Sequence, residues 1–390
     1  MRGSLLAALL LALPLAAKQP LVVVSVDGLD NRYLMNADQL GLKIPTLRRL
    51  MREGQFSTGV IGVVPTVTWP SHTSIITGVD PVKHGILSNW RPPGDRYLDY
   101  PQIKVPTLIG AAHNAGLTIA AVNWPVTVNA PVDWDLPEFF TKRQGADMDT
   151  RAIESKSKPA DLVTRISADY PSFPQEWMDD RTRTLAVLWL LHHEKPQVTF
   201  LHLVELDSEE HENAPFSREA KAILERTDEL IGQIVAALAP DAAISIVSDH
   251  GFERVDKIVN LKTAVPDAVQ AGSIVLAPDE KTAAALRDLK KDARYGIGRE
   301  IPKEEFAKFP SALNQNPVVV YESVEGVMFG NTRDGELTAK PAEIGNHGHW
   351  PMRYRSVYVL WGSGVPHETL PEFSIKEIAG KFAKVIGITF

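Results

Sequence analysis

Cysteine is absent from the 390 residues, which excludes disulfides, thiolate metal sites and a cysteine nucleophile. Positive charge is the minority sign: 41 Lys and Arg stand against 48 Asp and Glu, a formal net charge of −7. A protein that coats nucleic acid carries the opposite balance, so no stable nucleic-acid partner is expected. Small phosphorylated ligands are not excluded, because a bound cation locally reverses the field. Repeats and low-complexity segments are lacking as well. After the amino terminus, no apolar run approaches the roughly 20 residues needed to cross a bilayer. What is present is an ordinary globular composition, 44% hydrophobic and 23% charged, too apolar for disorder and long enough to bury a large core.

Residues 1–17 have a positive start at Arg2, an apolar stretch from Leu5 to Leu15 and small residues at Ala16 and Ala17. That order predicts a cleaved secretory signal peptide and an exported chain, periplasmic or secreted, without a transmembrane anchor. Residues 18–390 then form the catalytic chain. Oligomeric state is not legible here.

Strand and helix signals alternate through that chain. Leu21–Val26 is a continuous β-branched run, as expected of a central parallel strand covered on both faces. Pro45 opens a helix stopped by Gly54, and a strand-like stretch follows near 56–64. Helices are predicted over 71–77, 105–114, 180–193 and 217–238. Strands are predicted over 117–122, 197–204, 242–247 and 357–361. The order implies an α/β fold with a doubly wound, mainly parallel sheet and helices on both faces. Residues 255–340 interrupt it with a charged helix over 279–291 and short strands, and read as a small inserted α+β cap.

Chemistry-bearing residues gather where the strands end. Asp27 follows LVVVSV; Asp207 follows FLHLVEL, with His211 four residues on; Asp249 and His250 follow ISIVS; His347 lies in GNHG. In open α/β sheets ligands bind outside the carboxyl ends of strands, so these groups are candidates for one crevice. Carboxylate and neutral imidazole suit zinc and similar divalent ions, and three Asp with three His suffice for two three-ligand sites. Singly, a strand-terminal Asp is more commonly a cap or turn former. A hydroxyl nucleophile is sought in PTVTWPSH at 65–72, where Thr68 precedes the helix expected from Ser71. Backbone N–H groups and the helix dipole favour a phosphate there, and a metal held by Asp27, Asp249 and His250 is suited to activating Thr68.

The ordered set VSVDG (24–28), PTVTWPSHTSIITG (65–78), HGILSN (84–89), Asp207-x-x-x-His211, SDHG (248–251) and His347-Gly348 resembles the nucleotide pyrophosphatase/phosphodiesterase family of the alkaline phosphatase superfamily. The resemblance implies an alkaline-phosphatase-like fold, a two-zinc site and a phosphothreonine intermediate on Thr68. It places Asp207, His211 and His347 on one zinc, and Asp27, Asp249 and His250 on the other, beside Thr68. Asn89 matches a family asparagine that donates to a phosphoryl oxygen. The substrate implied is small, phosphorylated and nucleotide-like.

Two positions depart from the family's Thr-Phe-Pro-Asn: Trp69 replaces the aromatic and Ser71 the Asn. Trp69 is a candidate to stack on a nucleobase, with core packing as its alternative, and Asn123-Trp124-Pro125 loosely matches a stretch near the substrate pocket. His72 and His84 are expected to orient local backbone. His349 is a neighbour of the site, and His192 and His193 are solvent or packing residues. A phosphomonoesterase remains an alternative, though it calls for an extra cation that no motif supplies. A phosphonoacetate-hydrolase-like enzyme shares the ligand set, and a catalytically silent metal- or phosphate-binding protein is the non-enzyme alternative. A sulfatase would need Cys or Ser in place of Thr68.

Overall fold

The computed structural model describes residues 19–91, 94–139, 153–173, 178–313 and 316–390. The expected leader lies outside them. Eight strands build the main sheet: β1 (Leu21–Val26), β2 (Gln55–Ser57), β3 (Ile119–Val122), β4 (Trp134–Leu136), β5 (Val198–Leu203), β6 (Ala243–Val247), β7 (Tyr358–Gly362) and β8 (Glu368–Leu370). Their spatial order is β8-β2-β7-β6-β1-β5-β3-β4. The pairings β6-β1, β1-β5, β5-β3 and β3-β4 are parallel, as expected. β7 runs antiparallel to both β6 and β2, which the apolar pattern could not reveal.

All six residues of β1 are buried, and the five apolar ones alternate between two apolar clusters. Val22, Val24 and Val26 join one cluster with Leu190, Leu224 and Ile231; Leu21 and Val23 join the other with Ile75, Leu108 and Phe382. Those partners come from helices on opposite faces: α1 (Pro45–Glu53), α4 (Asp180–His193) and α6 (Arg218–Ala237) on one; α2 (Thr68–Thr77) and α3 (Leu108–Asn114) on the other. A strand sandwiched in this way has no need of polar residues, which accounts for its continuous apolar run.

Residues 255–340 carry their own four-stranded antiparallel sheet, made by Val269–Ala271, Ile274–Ala277, Ile297–Glu300 and Val319–Ser323. The helix Glu280–Leu289 packs on it through Ala283 and Leu286. One turn of this segment presses on the main body. Gly272 has φ +58°, and a Cβ there would lie 2.4 Å from the Gly348 carbonyl oxygen. Both the backbone angle and the close approach require glycine.

Two expectations shift. Helix α2 starts at Thr68, three residues before the expected start, so Thr68 is the first helical residue and not its cap. Asp207 is not strand-terminal either: it lies with His211 on a further helix, α5 (Glu205–Asn213).

His84 orients backbone, as expected. It is fully buried; the Ile86 N–H donates to its Nδ1 (3.2 Å) and its Nε2 lies 3.1 Å from Ser74 Oγ. Burial pushes its pKa down from 6.5 to about 4. The unfolded chain therefore takes up this proton below pH 6.5 while the folded chain resists it until about 4, so stability falls as pH falls through that window. His84→Gln is expected to remove about 3 kcal/mol of that acid dependence. Denaturant unfolding of both proteins from pH 7 to 4 checks it; parallel pH profiles would disprove the assignment.

Candidate metal centre and nucleophile

Parallel register brings the acidic residues together. Ser25 of β1 is level with His202 of β5 and Val247 of β6, so the three adjacent strands end side by side. Asp27 follows β1 and donates its backbone N–H to Leu203 O (2.8 Å). Asp249 follows β6, and its Oδ1 accepts the Gly28 N–H (3.2 Å), which turns Oδ2 inward. On α5, Asp207 and His211 are one turn apart, with His211 Nε2 3.5 Å from Asp207 Oδ2. His347 arrives from a distant loop, its Nε2 3.8 Å from Asp207 Oδ1.

Two overlapping donor sets result. Asp207, His211 and His347 place one ligand atom each within 4.8 Å of one another, and so do Asp27, Asp207 and His250. Asp249 is outside both sets by that measure but adjoins the second, its Oδ2 3.1 Å from His250 Nε2, while Asp27 Oδ1 is 3.4 Å from that nitrogen. The rings of His250 and His347 stack at 3.9 Å between centroids and join the two sets. All six sequence-predicted ligands therefore meet in one crevice.

The donors approach without satisfying one another. Asp27 Oδ1, Asp207 Oδ1, Asp249 Oδ2, both nitrogens of His250 and His347 Nδ1 are buried and make no hydrogen bond. Buried polar atoms of this kind are costly unless something else engages them. Burial, then repulsion by Asp249 and Asp207, raises the Asp27 pKa well above the carboxylate range. Burial and Asp207 push Asp249 to about 7; burial pushes Asp207 to about 6. Burial and neighbouring imidazoles hold His250 and His347 neutral, the form that ligates. Hard oxygen and neutral imidazole donors converging without hydrogen bonds fit divalent cations.

An outer layer orients these ligands. His211 Nδ1 donates to Gly345 O (3.0 Å), directing Nε2 towards Asp207. Gly345 is required there, since a Cβ would sit 2.0 Å from Glu210 O. His202 Nε2 lies 3.0 Å from Asp27 Oδ2, and Arg183 holds the His202 carbonyl (3.2 Å). Arg183 is itself buried beside Asp180 at 3.6 Å. Sequence reasoning missed His202, Arg183, Asp180 and the buried Glu138, whose pKa burial raises to about 8. One signal was available: His202 interrupts an otherwise apolar strand, FLHL. Asp180 and Glu138 carry none.

Thr68 is 5% exposed at the amino end of α2. His72, one turn later, donates from Nδ1 to the Thr68 carbonyl (2.8 Å), its Nε2 meets Ser25 Oγ (2.9 Å), and Nδ1 is 3.6 Å from Asp249 Oδ2. The Thr66 hydroxyl donates to His349 O (2.6 Å) and the Gly348 N–H to Thr66 O (3.0 Å), fastening the Thr68 loop to the His347 segment. Asn89 Oδ1 accepts the Trp69 N–H (3.0 Å), a contact that fixes which end of the amide is the donor.

The expected substrate contacts fare differently. Trp124 is fully buried, its ring 5.1 Å from His72 and 5.0 Å from Phe200, so it supports the floor and presents no surface. Trp69 is 4% exposed, packed with Ile86, Tyr97 and Val126, and Arg96 lies 4.7 Å above its ring. Its face is thus occupied by packing and a cation, not free for a base. Arg96 also stacks on exposed Trp90 at 4.3 Å, which puts near the Thr68 loop a positive charge no motif announced. His349 is buried with Nδ1 3.3 Å from Glu253 Oε2; His192 and His193 are exposed.

Comparison with known proteins agrees with the arrangement of motifs. The family model described as type I phosphodiesterase / nucleotide pyrophosphatase matches residues 21–343. The chain belongs to that family. It is 26% identical over 253 residues to mouse ectonucleotide pyrophosphatase/phosphodiesterase family member 1, covering 60% of this chain and 24% of that protein. It is 25% identical to a Bos taurus bis(5'-adenosyl)-triphosphatase, covering 63% of this chain and 51% of the relative. The chain thus spans between a quarter and a half of these relatives' length. Murine ectonucleotide pyrophosphatase/phosphodiesterase 5 has the same fold, with TM-score 0.66 at 18% identity over 95% of this chain and 96% of that one. An inactive form of it, in complex with AMP, gives 0.65 at 17% identity over the same shares. No helix among the described residues is long and apolar enough to cross a membrane.

If His202 orients Asp27 for a metal, His202→Ala should weaken divalent-cation binding by about 10- to 100-fold. Competition with a chromogenic chelator measures this, and an unchanged affinity would remove His202 from the site.

Proposed function

We propose that this protein is a metal-dependent phosphodiesterase or nucleotide pyrophosphatase that acts through a phosphothreonine intermediate at Thr68. The observation that supports the reading is the convergence of six metal-type donor residues, five of them with unpaired buried atoms, near a loop that carries Thr68 and is tied through Thr66 to the His347 segment. Two divalent ions, zinc by family resemblance, would be held by Asp207, His211 and His347 and by Asp27, Asp249 and His250; they would supply Lewis acidity and lower the hydroxyl pKa.

In the first step the Thr68 oxygen forms a bond to phosphorus and the bond to the leaving oxygen breaks. Negative charge grows on the non-bridging oxygens, where the Asn89 amide N–H is available as a donor because its oxygen is already engaged by Trp69. His72 holds the Thr68 backbone, so the hydroxyl enters in a fixed orientation. Water then attacks phosphorus, the Thr68–phosphate bond breaks, and the phosphate monoester leaves. A nucleotide-like substrate is consistent with the AMP complex of the structural neighbour and with the named activity of the triphosphatase relative. Export to a periplasm or the medium, read from residues 1–17, belongs to the same proposal.

Thr68→Ala should reduce turnover of bis-p-nitrophenyl phosphate by at least about 1,000-fold while zinc still raises the thermal midpoint. Asn89→Ala should lower kcat by about 100- to 1,000-fold with a smaller change in KM. Near-normal turnover by the Thr68 variant would refute the nucleophile.

A further inference from the structure

Beside the donor cluster lies a cavity of about 240 Å³, between the Thr68 loop and the 255–340 segment. Val64, Pro65 and Val67 form one side, Ile274 and Met328 another, and His347 a third. Val67 immediately precedes Thr68, and His347 is a member of the Asp207–His211–His347 set, so the cavity adjoins both the nucleophile loop and that set. Val64 and Ile274 are anchored in a buried cluster with Trp350, and the Gly272–Gly348 contact clamps the two sides together.

We propose that this cavity is a leaving-group subsite for an uncharged, apolar alcohol about the size of a single ring. The inference rests on the reaction proposed above. His347 belongs both to that donor set and to the cavity wall, so a group carried on a phosphate held at the set meets this space next. Its volume is below the roughly 300–1,000 Å³ usual for drug-sized ligands, which suits one ring or a short chain. None of its lining residues is Lys or Arg. A pyrophosphate or phosphate leaving group would have to bury its charge against Val64, Val67, Ile274 and Met328 without a counter-cation, at high cost. An apolar group gains by displacing water from the same walls. The subsite therefore favours phosphodiesters of apolar alcohols over phosphoanhydrides.

Met328 is only partly buried, so it tolerates replacement. With zinc-loaded full-length protein, kcat/KM is compared for thymidine 5′-(p-nitrophenyl phosphate) and ATP. Met328→Trp, which fills the cavity, should lower the value for the nitrophenyl ester about tenfold or more, through KM, and that for ATP by less than about threefold. Met328→Lys should raise the ATP-to-nitrophenyl ratio by about tenfold, and Met328→Leu should keep the wild-type ratio. Independently of turnover, p-nitrophenol should bind the wild type in equilibrium dialysis and lose that binding in Met328→Trp. Equal effects on both substrates, or p-nitrophenol binding that ignores the substitution, would overturn the subsite. Loss of turnover in Thr68→Ala alongside such results would leave the reaction intact and remove only the pocket; retained turnover would remove the reaction itself.

Discussion

Three carboxylates forced into a buried space repel one another, and most of what surrounds them follows from that repulsion. Asp27, Asp207 and Asp249 all have pKa values raised first by burial, and Asp27 and Asp249 also by their neighbours' charge. A divalent ion bound among them would convert that mutual repulsion into shared attraction. The surrounding fold must hold the carboxylates in place in the meantime, and it does so with backbone: Gly28 N–H on Asp249, parallel strand ends under Asp27, and one helical turn between Asp207 and His211.

The rigidity extends outward through polar contacts that never reach the surface. His72 bridges the Thr68 carbonyl and Ser25, His202 meets Asp27, and Arg183 ties the His202 backbone to Met178 through its Nε. Each of these groups is fully buried. Neutral imidazoles serve here because they offer one donor and one acceptor without adding a charge the site would have to accommodate. Displacing any one of them leaves a neighbour unsatisfied, so Thr68 and the clustered carboxylates and imidazoles are coupled by geometry even though their positions span most of the chain.

Much of this was legible in the chain itself, and the limits are physical. The β1 run, the glycines after strand ends and the spacing of Asp207 and His211 encode local structure, and local structure in a parallel sheet dictates where strand ends meet. The antiparallel entry of β7 was not legible, because a buried strand reads the same in either direction. Nor was the start of α2 at Thr68, since Val67 and Pro70 mask the helical period with a β-branched residue and an early proline. His202 went unnoticed as one polar residue in an apolar strand, and Glu138 and Asp180 because their partners lie far away in sequence.

Trp69 illustrates how a correct motif can suggest a wrong contact. An aromatic residue after the nucleophile promises a stacking surface, yet its ring is packed on Ile86, Tyr97 and Val126, with Arg96 above it. A guanidinium held against Trp69 and Trp90 is fixed in orientation by the ring faces. Trp69 and Arg96 are thus taken up by each other and by their neighbours, whereas Val67, Ile274 and Met328 line open space beside His347.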